Sequence, residues 1–300
     1  MANTKFAVFS DIHSNYHAFR ACYDDAIANG VDGFIFLGDY VSDLAEPEKT
    51  MDLVYEIQSR YPTICLLGNR ERYMLDHEQN TLPFTPGSKS GSLLFTYEHL
   101  RKQDLEFFKS LTASATISLN GIPFEIAHAA MDDDRFYFEG NDIQTEQVFR
   151  QMNCKYLLTG HSHRQYIRHF SGKTILNPGS VGIPQGGTIW PKYAIVQVAD
   201  ESVSFVLREV PYDLSAVIHC QFHRGLVSRA KYWAIGILHD IITGEEIVLE
   251  LLKLVNASGD VCDEAVWHNA AVQLGLYLTE EEIVCFYHSY LSNPQQFIPK

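Results

Sequence analysis

The stretch CLLGNRERY, residues 65–73, is an apolar run that stops abruptly at Gly68, Asn69 and Arg70. A turn would account for a single Gly-Asn pair. The same event occurs four more times by residue 163, in the stretches VFSDIH, IFLGDY, FEIAHA and LLTGHSH. Each run ends in side chains that can ligate a metal: Asp11, His13, Asp39, Asn69, His128, His161 and His163. The recurrence indicates a shared role.

These runs belong to an alternating pattern of strands and helices. Residues 5–37 predict a strand, a helix that begins after an Asn15 cap and stops at Gly30, and a second strand. A second helix, EPEKTMDLVYEIQSRY, leads to a third strand, TICLL. Alternation at this spacing predicts an α/β layered core.

From about residue 113 the pattern changes to short β-rich runs. SATISLNGIPFEIAH contains Asn120-Gly121 between two such runs, which is a strong hairpin signal. After a helix near 143–153 come the runs KYLLTG, QYIRHF, KTILN, KYAIVQV and SVSFVLREV. We expect largely antiparallel strands here, and two sheets packed together with helices outside.

The seven donor side chains are expected to converge, because ligands of open α/β sheets bind outside the carboxyl ends of the strands. Carboxylates and neutral imidazoles without thiolates suit Zn, Mn or Fe. A glycine just before Asp39, Asn69 and His161 would let the backbone approach an ion closely. Singly, each side chain is more simply a turn residue or a cap, but five occurrences favour a metal site. Two divalent ions roughly 3.5–4 Å apart would need a bridging carboxylate and would activate a hydroxide between them.

The five motifs resemble those of the calcineurin-like metallophosphoesterase superfamily. Its signature of Asp-x-His, Gly-Asp, Gly-Asn-His, a lone His and Gly-His-x-His is matched here in order, over roughly residues 1–210. LNPGSVG (176–182) and REVPYDL (208–214) resemble the small bacterial, phosphodiesterase-like branch of that superfamily. The resemblance implies a four-layer α/β/β/α sandwich, which agrees with the predicted strands and helices.

The resemblance also implies a ligand set for two divalent metal ions, whose identity among Mn, Fe, Zn and Ni stays open. The first ion would be held by Asp11, His13, Asp39 and His163. The second would be held by Asp39, Asn69, His128 and His161, with Asp39 bridging the two. Asp39, His128 and Arg70 are the expected catalytic residues, and Asn69 and Arg70 are expected to contact substrate.

Arg70 departs from the family pattern, which has His after Asn69. In the family that His is taken to contact the phosphoryl group and to protonate the leaving oxygen. Arg does not release a proton, because its pKa is above about 12. Its planar fork does bind phosphate oxygens in pairs. Leaving groups of low pKa, such as aryl oxygens, phosphates or phosphodiester nucleosides, are therefore expected over alkyl alcohols. The alternative is that Arg70 pairs with Glu71 or another acid and that efficient catalysis is lost.

Two residues near the first helix are further candidates for substrate contact. Ser14 and Asn15 stand at a helix N-terminus beside the first motif, where an anion is favoured. Asn15 could equally serve only as the cap of that helix. His17 could contact substrate or replace the missing acid, or it could lie on the helix surface.

Composition limits the remaining choices. The formal net charge of −14 opposes binding of a nucleic-acid polymer, since non-specific binders neutralise phosphates with Lys and Arg. The six cysteines form no CxxC pair and are expected to be free thiols in a reducing compartment. HCQFH (219–223) has zinc-like spacing, but without a second pair the sequence does not predict a structural zinc there. No membrane span or signal peptide is visible, so a cytoplasmic location is expected.

From about Tyr212 the pattern becomes helical. GEEIVLELLKLV has apolar residues at helical spacing, and TEEEIVCFYHSYL opens with a capping box of Thr279 and Glu282. We therefore divide the chain into a metallophosphoesterase domain, residues 1–211, and a helical C-terminal extension, residues 212–300. Its acidic helices could bind a protein partner or a second copy of the chain.

Together these features predict a binuclear metal-dependent phosphoesterase that acts on small phosphate mono- or diesters through a metal-bridging hydroxide. The alternative is a catalytically weak regulatory protein that binds metal and phosphate.

Overall fold

A computed structural model describes residues 4–133, 135–200 and 202–292. Ten strands are found in these ranges: β1 Thr4–Phe9, β2 Gly33–Phe36, β3 Thr63–Cys65, β4 Ser114–Leu119, β5 Ile122–Ala127, β6 Tyr156–Thr159, β7 Gln165–Phe170, β8 Lys173–Pro178, β9 Lys192–Ala199 and β10 Ser202–Glu209. They form two five-stranded sheets, one with the order β10-β9-β1-β2-β3 and the other with the order β4-β5-β6-β8-β7.

The same ranges contain eleven helices: α1 Tyr16–Ala28, α2 Pro47–Arg60, α3 Asn69–Glu78, α4 Gly91–His99, α5 Lys102–Lys109, α6 Ile143–Gln151, α7 Leu214–His223, α8 Leu226–Thr243, α9 Ile247–Ser258, α10 Glu264–Gln273 and α11 Glu280–Ser292. None of them is both long and apolar enough to cross a membrane.

The layers follow from which face of each strand is apolar. Alternate residues of the two sheets, such as Val8, Leu37 and Ile126, meet in a buried core between the sheets. The other face of the first sheet, with Phe9 and Phe36, packs on α1 and α2. Helix α6 covers the outer face of the second sheet. The result is the expected α/β/β/α sandwich.

The first part of the chain folds as its sequence predicts. Asn15 caps α1 by accepting a hydrogen bond from the Ala18 amide, and α1 ends just before Gly30. Asn120 and Gly121 both have positive φ, as a tight two-residue hairpin turn requires, and they join β4 to β5 in antiparallel register.

The expectation of largely antiparallel strands after residue 113 is wrong for half of the second sheet. β5, β6 and β8 run parallel, with β4 and β7 as antiparallel edges. β9 and β10 belong to the first sheet, because β9 pairs with β1 and β10 pairs with β9. Local sequence patterns do not specify partners so distant along the chain.

Helices α7–α11, residues 214–292, pack together and against the sandwich, and we call them the helical cap. Apolar side chains of α7, α8 and α11 share one buried cluster with Leu44, Ile183 and Ile189, which lie in loops of the sandwich. Helix α8 also packs closely on α4, since a Cβ at Gly91 would lie 2.2 Å from the Arg229 carbonyl oxygen. The capping box at Thr279 and Glu282 is present.

Candidate metal centre

The candidate ligands lie where strands end in irregular backbone. Five of them, Asp11, His13, Asp39, His161 and His163, have φ between 50° and 66°. Residues other than glycine adopt this left-handed region at a cost, although Asp, Asn and His tolerate it best. Backbone strain of this kind concentrates at functional sites. Five of the seven residues that the sequence pattern selected therefore lie on strained backbone.

The glycines before these residues allow loops to approach one another. A Cβ at Gly38 would lie 2.5 Å from the Gly68 nitrogen, and one at Gly68 would lie 2.2 Å from Asp39 Oδ1. A Cβ at Gly160 would lie 2.0 Å from Ser10 Oγ. The sequence predicted that these glycines let the backbone approach an ion. In the structure they let neighbouring loops approach one another, which brings the donors together.

A first group of donors consists of Asp11, His13 and His163. The two imidazoles face each other with Nε2 atoms 3.1 Å apart. Asp11 Oδ1 lies 3.5 Å from His163 Nε2 and 4.0 Å from His13 Nε2, and it is buried without a hydrogen-bond partner among the described residues. Three potential ligand atoms converge here, and the carboxylate oxygen among them has no hydrogen-bond partner in the described part of the chain.

A second group consists of Asp39, His128 and His161, joined by Asn69. His128 Nε2 lies 3.0 Å from Asn69 Oδ1 and 3.5 Å from Asp39 Oδ2. Asp39 Oδ2 is also 3.8 Å from His13 Nε2 of the first group. Asp39 therefore stands between the two groups, where a bridging carboxylate belongs.

Main-chain carbonyls orient two of these histidines. His128 Nδ1 is 2.9 Å from the Leu37 oxygen, and His163 Nδ1 is 2.9 Å from the Ile183 oxygen. An Nδ1–H that donates to a carbonyl leaves Nε2 as the lone pair, which is the usual arrangement of a metal-binding histidine. A protonated His128 donates Nε2–H to the oxygen of Asn69, and loss of that proton would free both atoms to ligate one ion.

The buried groups differ in how readily they would accept a metal ion. Burial alone would raise the pKa of Asp11, but His163 outweighs it and holds that pKa at about 2. Burial alone would lower the pKa of His128, but Asp39 outweighs it and raises that pKa to about 10. Burial lowers the pKa of His161 to about 4. The carboxylate is thus ready to ligate, whereas a metal would have to displace the proton of His128. The donor set fits divalent cations.

Asp43, which the sequence analysis missed, links the donors to Arg70. Its Oδ2 lies 3.3 Å from His13 Nδ1 and 3.1 Å from Arg70 Nη2, and its Oδ1 accepts a hydrogen bond of 2.9 Å from Trp233 Nε1. Histidine ligands commonly have such a carboxylate behind them. No sequence signal marked Asp43, since it follows no apolar strand.

Arg70 does not pair with Glu71. The Glu71 carboxylate instead accepts hydrogen bonds from the backbone amides of Asp39, Tyr40, Val41 and Gly68, and so fixes the loop that carries Asp39. The partner of Arg70 is Asp43, and its Nε, buried and without a hydrogen-bond partner within the described ranges, lies 4.0 Å from Asp39 Oδ2. The guanidinium is held beside both donor groups.

Asn15 and His17 are placed away from the donors. Asn15 is 1% exposed, and its side chain is occupied by the Ala18 amide and the Gly182 oxygen. His17 Nε2 is 3.0 Å from Glu46 Oε2 and 3.8 Å from Cys220 Sγ. Neither lines the cavity beside the donors. Asn15 does cap α1, and its contact with substrate stays a prediction, as does that of His17.

A cavity of about 160 Å³ opens between the donors and the helical cap. The sandwich contributes Asp43, Arg70, Tyr137, His161, Ser162, His163, Ile183 and Gln185, and the cap contributes Trp233, Ile237, Asp240, Glu246, Val248 and Leu249. Arg164 joins the two sides through Glu246 at 3.1 Å. The C-terminal helices thus form one wall of the candidate site.

This sandwich, with carboxylate and imidazole donors at its strand ends, has the architecture of metallophosphoesterases. The model of the calcineurin-like phosphoesterase superfamily domain matches residues 4–201, and the chain belongs to that superfamily. Membership supports a hydrolase of phosphoesters that uses divalent metals.

Relatives agree on the fold. An uncharacterized protein of Methanocaldococcus jannaschii is 25% identical over 229 residues, which is 71% of this chain and 90% of the relative. A metallophosphoesterase from Sphaerobacter thermophilus superposes with a TM-score of 0.60 at 21% identity, covering 76% of this chain and 98% of that one. A hypothetical protein from Pyrococcus horikoshii OT3 superposes with a TM-score of 0.67 at 15% identity, covering 77% and 97%.

Proposed function

We propose that this protein is a binuclear metal-dependent phosphoesterase that hydrolyses small phosphate mono- or diesters. The observation that carries the proposal is the position of Asp39, whose Oδ2 lies between a histidine of one donor group and a histidine of the other. A carboxylate shared by two sets of donors is what a two-ion site requires.

The ligands would be divided as the family resemblance implies. One ion would be held by Asp11, His13, Asp39 and His163, and the other by Asp39, Asn69, His128 and His161. Bound ions would supply positive charge for the phosphoryl oxygens and lower the pKa of the attacking water. Mn, Fe, Zn and Ni all suit this mixture of ligands.

The chain's own residues would position the ester. Arg70, held by Asp43 and Asp39, presents its guanidinium to the cavity, where it would bind phosphoryl oxygens and stabilise the charge that develops on them. It cannot protonate the leaving oxygen. Esters with leaving groups of low pKa, such as aryl esters and phosphodiesters of nucleosides, should therefore react faster than alkyl esters.

The cavity favours compact substrates. Its volume is about 160 Å³, and the cap closes one side with Trp233, Ile237 and Leu249. A nucleic-acid polymer would have to displace that wall and would meet a chain of net charge −14. A small phosphorylated molecule fits both constraints.

The test is to strip the metal, add back Mn, Zn, Fe(II) or Ni, and assay an aryl monoester, an aryl diester and an alkyl monoester. We expect metal-dependent turnover of the aryl esters, a poor alkyl rate, and loss of more than about 100-fold in Asp39→Asn, since even residues behind a ligand are worth 10–100-fold. The matched control is Asp24→Asn, an exposed acid paired with Arg20 on α1. Two bound metals with no turnover of any ester would contradict the proposal.

The second candidate is a regulatory protein that binds metal and phosphate with little turnover. It is favoured by the pairing of Arg70 with Asp43, which offsets part of the arginine charge. Arg70→His distinguishes the two, because it restores the residue of the family motif. A large gain in alkyl phosphatase activity would identify the native chain as a weak catalyst, and a loss of aryl esterase activity would identify Arg70 as a working residue.

A further inference from the structure

A third cluster of metal-ligating side chains lies on the surface of the helical cap, apart from the candidate metal centre. His219 and His223 stand one turn apart on α7, and Glu280 is the first residue of α11. His219 Nδ1 lies 3.0 Å from Glu280 Oε1, and His223 Nε2 lies 3.1 Å from Glu280 Oε2. The three potential ligand atoms lie within 4.8 Å of one another.

The arrangement is built by the helices. Residues four apart on a helix face the same side, so both imidazoles point toward α11. Their rings stack with centroids 3.8 Å apart and an angle of 28° between planes. Each ring turns one nitrogen to a different oxygen of one carboxylate. An ordinary ion pair would need only one of these histidines.

We propose that His219, His223 and Glu280 bind one zinc ion that joins α7 to α11. Two imidazole nitrogens and one carboxylate oxygen are ligands that zinc accepts, and water can fill the fourth position. The side chains are 61%, 58% and 27% exposed, so the ion can enter from solvent. The net negative charge of the chain favours a cation at the surface.

The site explains why the sequence motif HCQFH was incomplete. Cys220, which follows His219 in that motif, lies instead beside His17, with Sγ 3.8 Å from Nε2. The carboxylate is supplied instead by Glu280 of α11, 57 residues after His223. No spacing rule along the sequence connects these residues.

The ion would fasten the outermost helix of the cap. Helix α11 buries Ile283, Phe286 and Tyr287 in the same cluster as α7 and α8, and α8 supplies Trp233 to the cavity wall. Zinc at α7 and α11 would therefore stabilise the cap whether or not the chain is a phosphoesterase. At free zinc of 100 times its dissociation constant, the ratio of folded to unfolded protein should rise roughly 100-fold.

The experiment measures bound zinc and thermal unfolding in four forms of the full chain. The wild type is compared with His223→Ala, with Glu280→Gln, which keeps the size of the side chain, and with His288→Ala. His288 is an exposed histidine on the same helix α11 and serves as the matched control. Zinc is counted after equilibrium dialysis against a weak chelator. None of the substitutions lies at the candidate metal centre, so zinc bound there should be the same in all four forms.

We expect the wild type and His288→Ala to retain one zinc more than the other two variants and to gain more in Tm on adding zinc. Equal zinc and an equal gain in Tm across all four forms would overturn the proposal. Circular dichroism without zinc checks folding, and if His223→Ala fails to fold, Glu280→Gln decides. A wild type that binds zinc here while lacking esterase activity would leave this site standing and the proposed function overturned.

Discussion

The sandwich and the helical cap contribute different things to the same cavity. The sandwich contributes all seven candidate ligands and Arg70, and five of the ligands lie on strained backbone. Arg70, His161 and His163 line the cavity itself. The cap contributes a largely apolar wall, a hydrogen bond from Trp233 to Asp43, and Glu246, which pairs with Arg164. The difference teaches that metal binding and chemistry would belong to the sandwich, whereas access and substrate size would belong to the cap.

The largest expected effect tests whether the sandwich and the helical cap unfold independently. Trp267 is 1% exposed in the cap's own core, and Phe124 is fully buried between the sheets. Changing either to Ala removes a large buried ring and should cost about 3–5 kcal/mol. Trp267→Ala should loosen the amides of α9 and α10 while β1 and β2 stay protected, as measured by hydrogen exchange. If β1 loosens equally, the two regions unfold as one and our division near residue 212 is wrong.

A smaller effect concerns the acid sensitivity of the cap. His239 is buried, accepts a hydrogen bond from the Tyr277 amide and stacks on Phe286, and burial lowers its pKa to about 4. The unfolded chain, with a histidine pKa near 6.5, then binds more protons between pH 4 and 6.5. Stability present above pH 6.5 is therefore lost as the pH falls toward 4, by about 2 kcal/mol at pH 5.

The measurement is urea unfolding at pH 7.5 and pH 5 for the wild type and His239→Gln. Gln does not titrate, so the free energy of unfolding of the variant should fall less between pH 7.5 and pH 5 than that of the wild type. The difference should equal the amount assigned to His239. Equal losses would show that His239 does not carry the pH dependence.

The Asp43→Asn substitution tests whether metal affinity depends on side chains that contact the ligands. Asp43→Asn removes the charge next to His13 and Arg70 and keeps the size of the side chain. We expect metal affinity to fall by about 10–100-fold. Metal titration followed by calorimetry checks this, with Asp24→Asn as the control. Unchanged affinity would limit Asp43 to holding Arg70 and Trp233.

The smallest effect tests the hydrogen bond from Trp233 of the cap to Asp43 of the sandwich. Trp233→Phe removes the indole N–H that Asp43 accepts, at a cost of about 1 kcal/mol, or about fivefold. We expect KM for an aryl ester to rise by that factor with kcat little changed. Tyr232→Phe is the control, because its hydroxyl bonds His268 and not the centre. A fall in kcat instead would bring the cap into the chemistry.

The sequence was sufficient where structure is decided locally. Strand ends, the Asn15 cap and the Asn120-Gly121 turn were predicted, because periodicity and turn chemistry act over a few residues. The seven donors were found for the same reason. Their gathering into two groups could be inferred only from the sheet rule and the family resemblance.

What the sequence did not reveal depends on distant contacts. The pairing of β9 with β1, the role of Asp43 and the placement of Trp233 at the cavity all join residues more than 100 positions apart or hidden in a loop. Arg70 was seen as a departure, but its partner was not, since Glu71 is adjacent in sequence and yet turns to the backbone. Tertiary packing decides these contacts.

The strand order of the first sheet determines when that sheet can be completed during translation. β1 lies between β2, made a few dozen residues later, and β9, which begins at residue 192. Until the ribosome has delivered β9, one edge of β1 has no strand partner. The cap follows at once, from residue 214. The cap therefore assembles on donors that the sandwich has already gathered, and the wall that Trp233 and Leu249 add to the cavity is the last part of the site to be made.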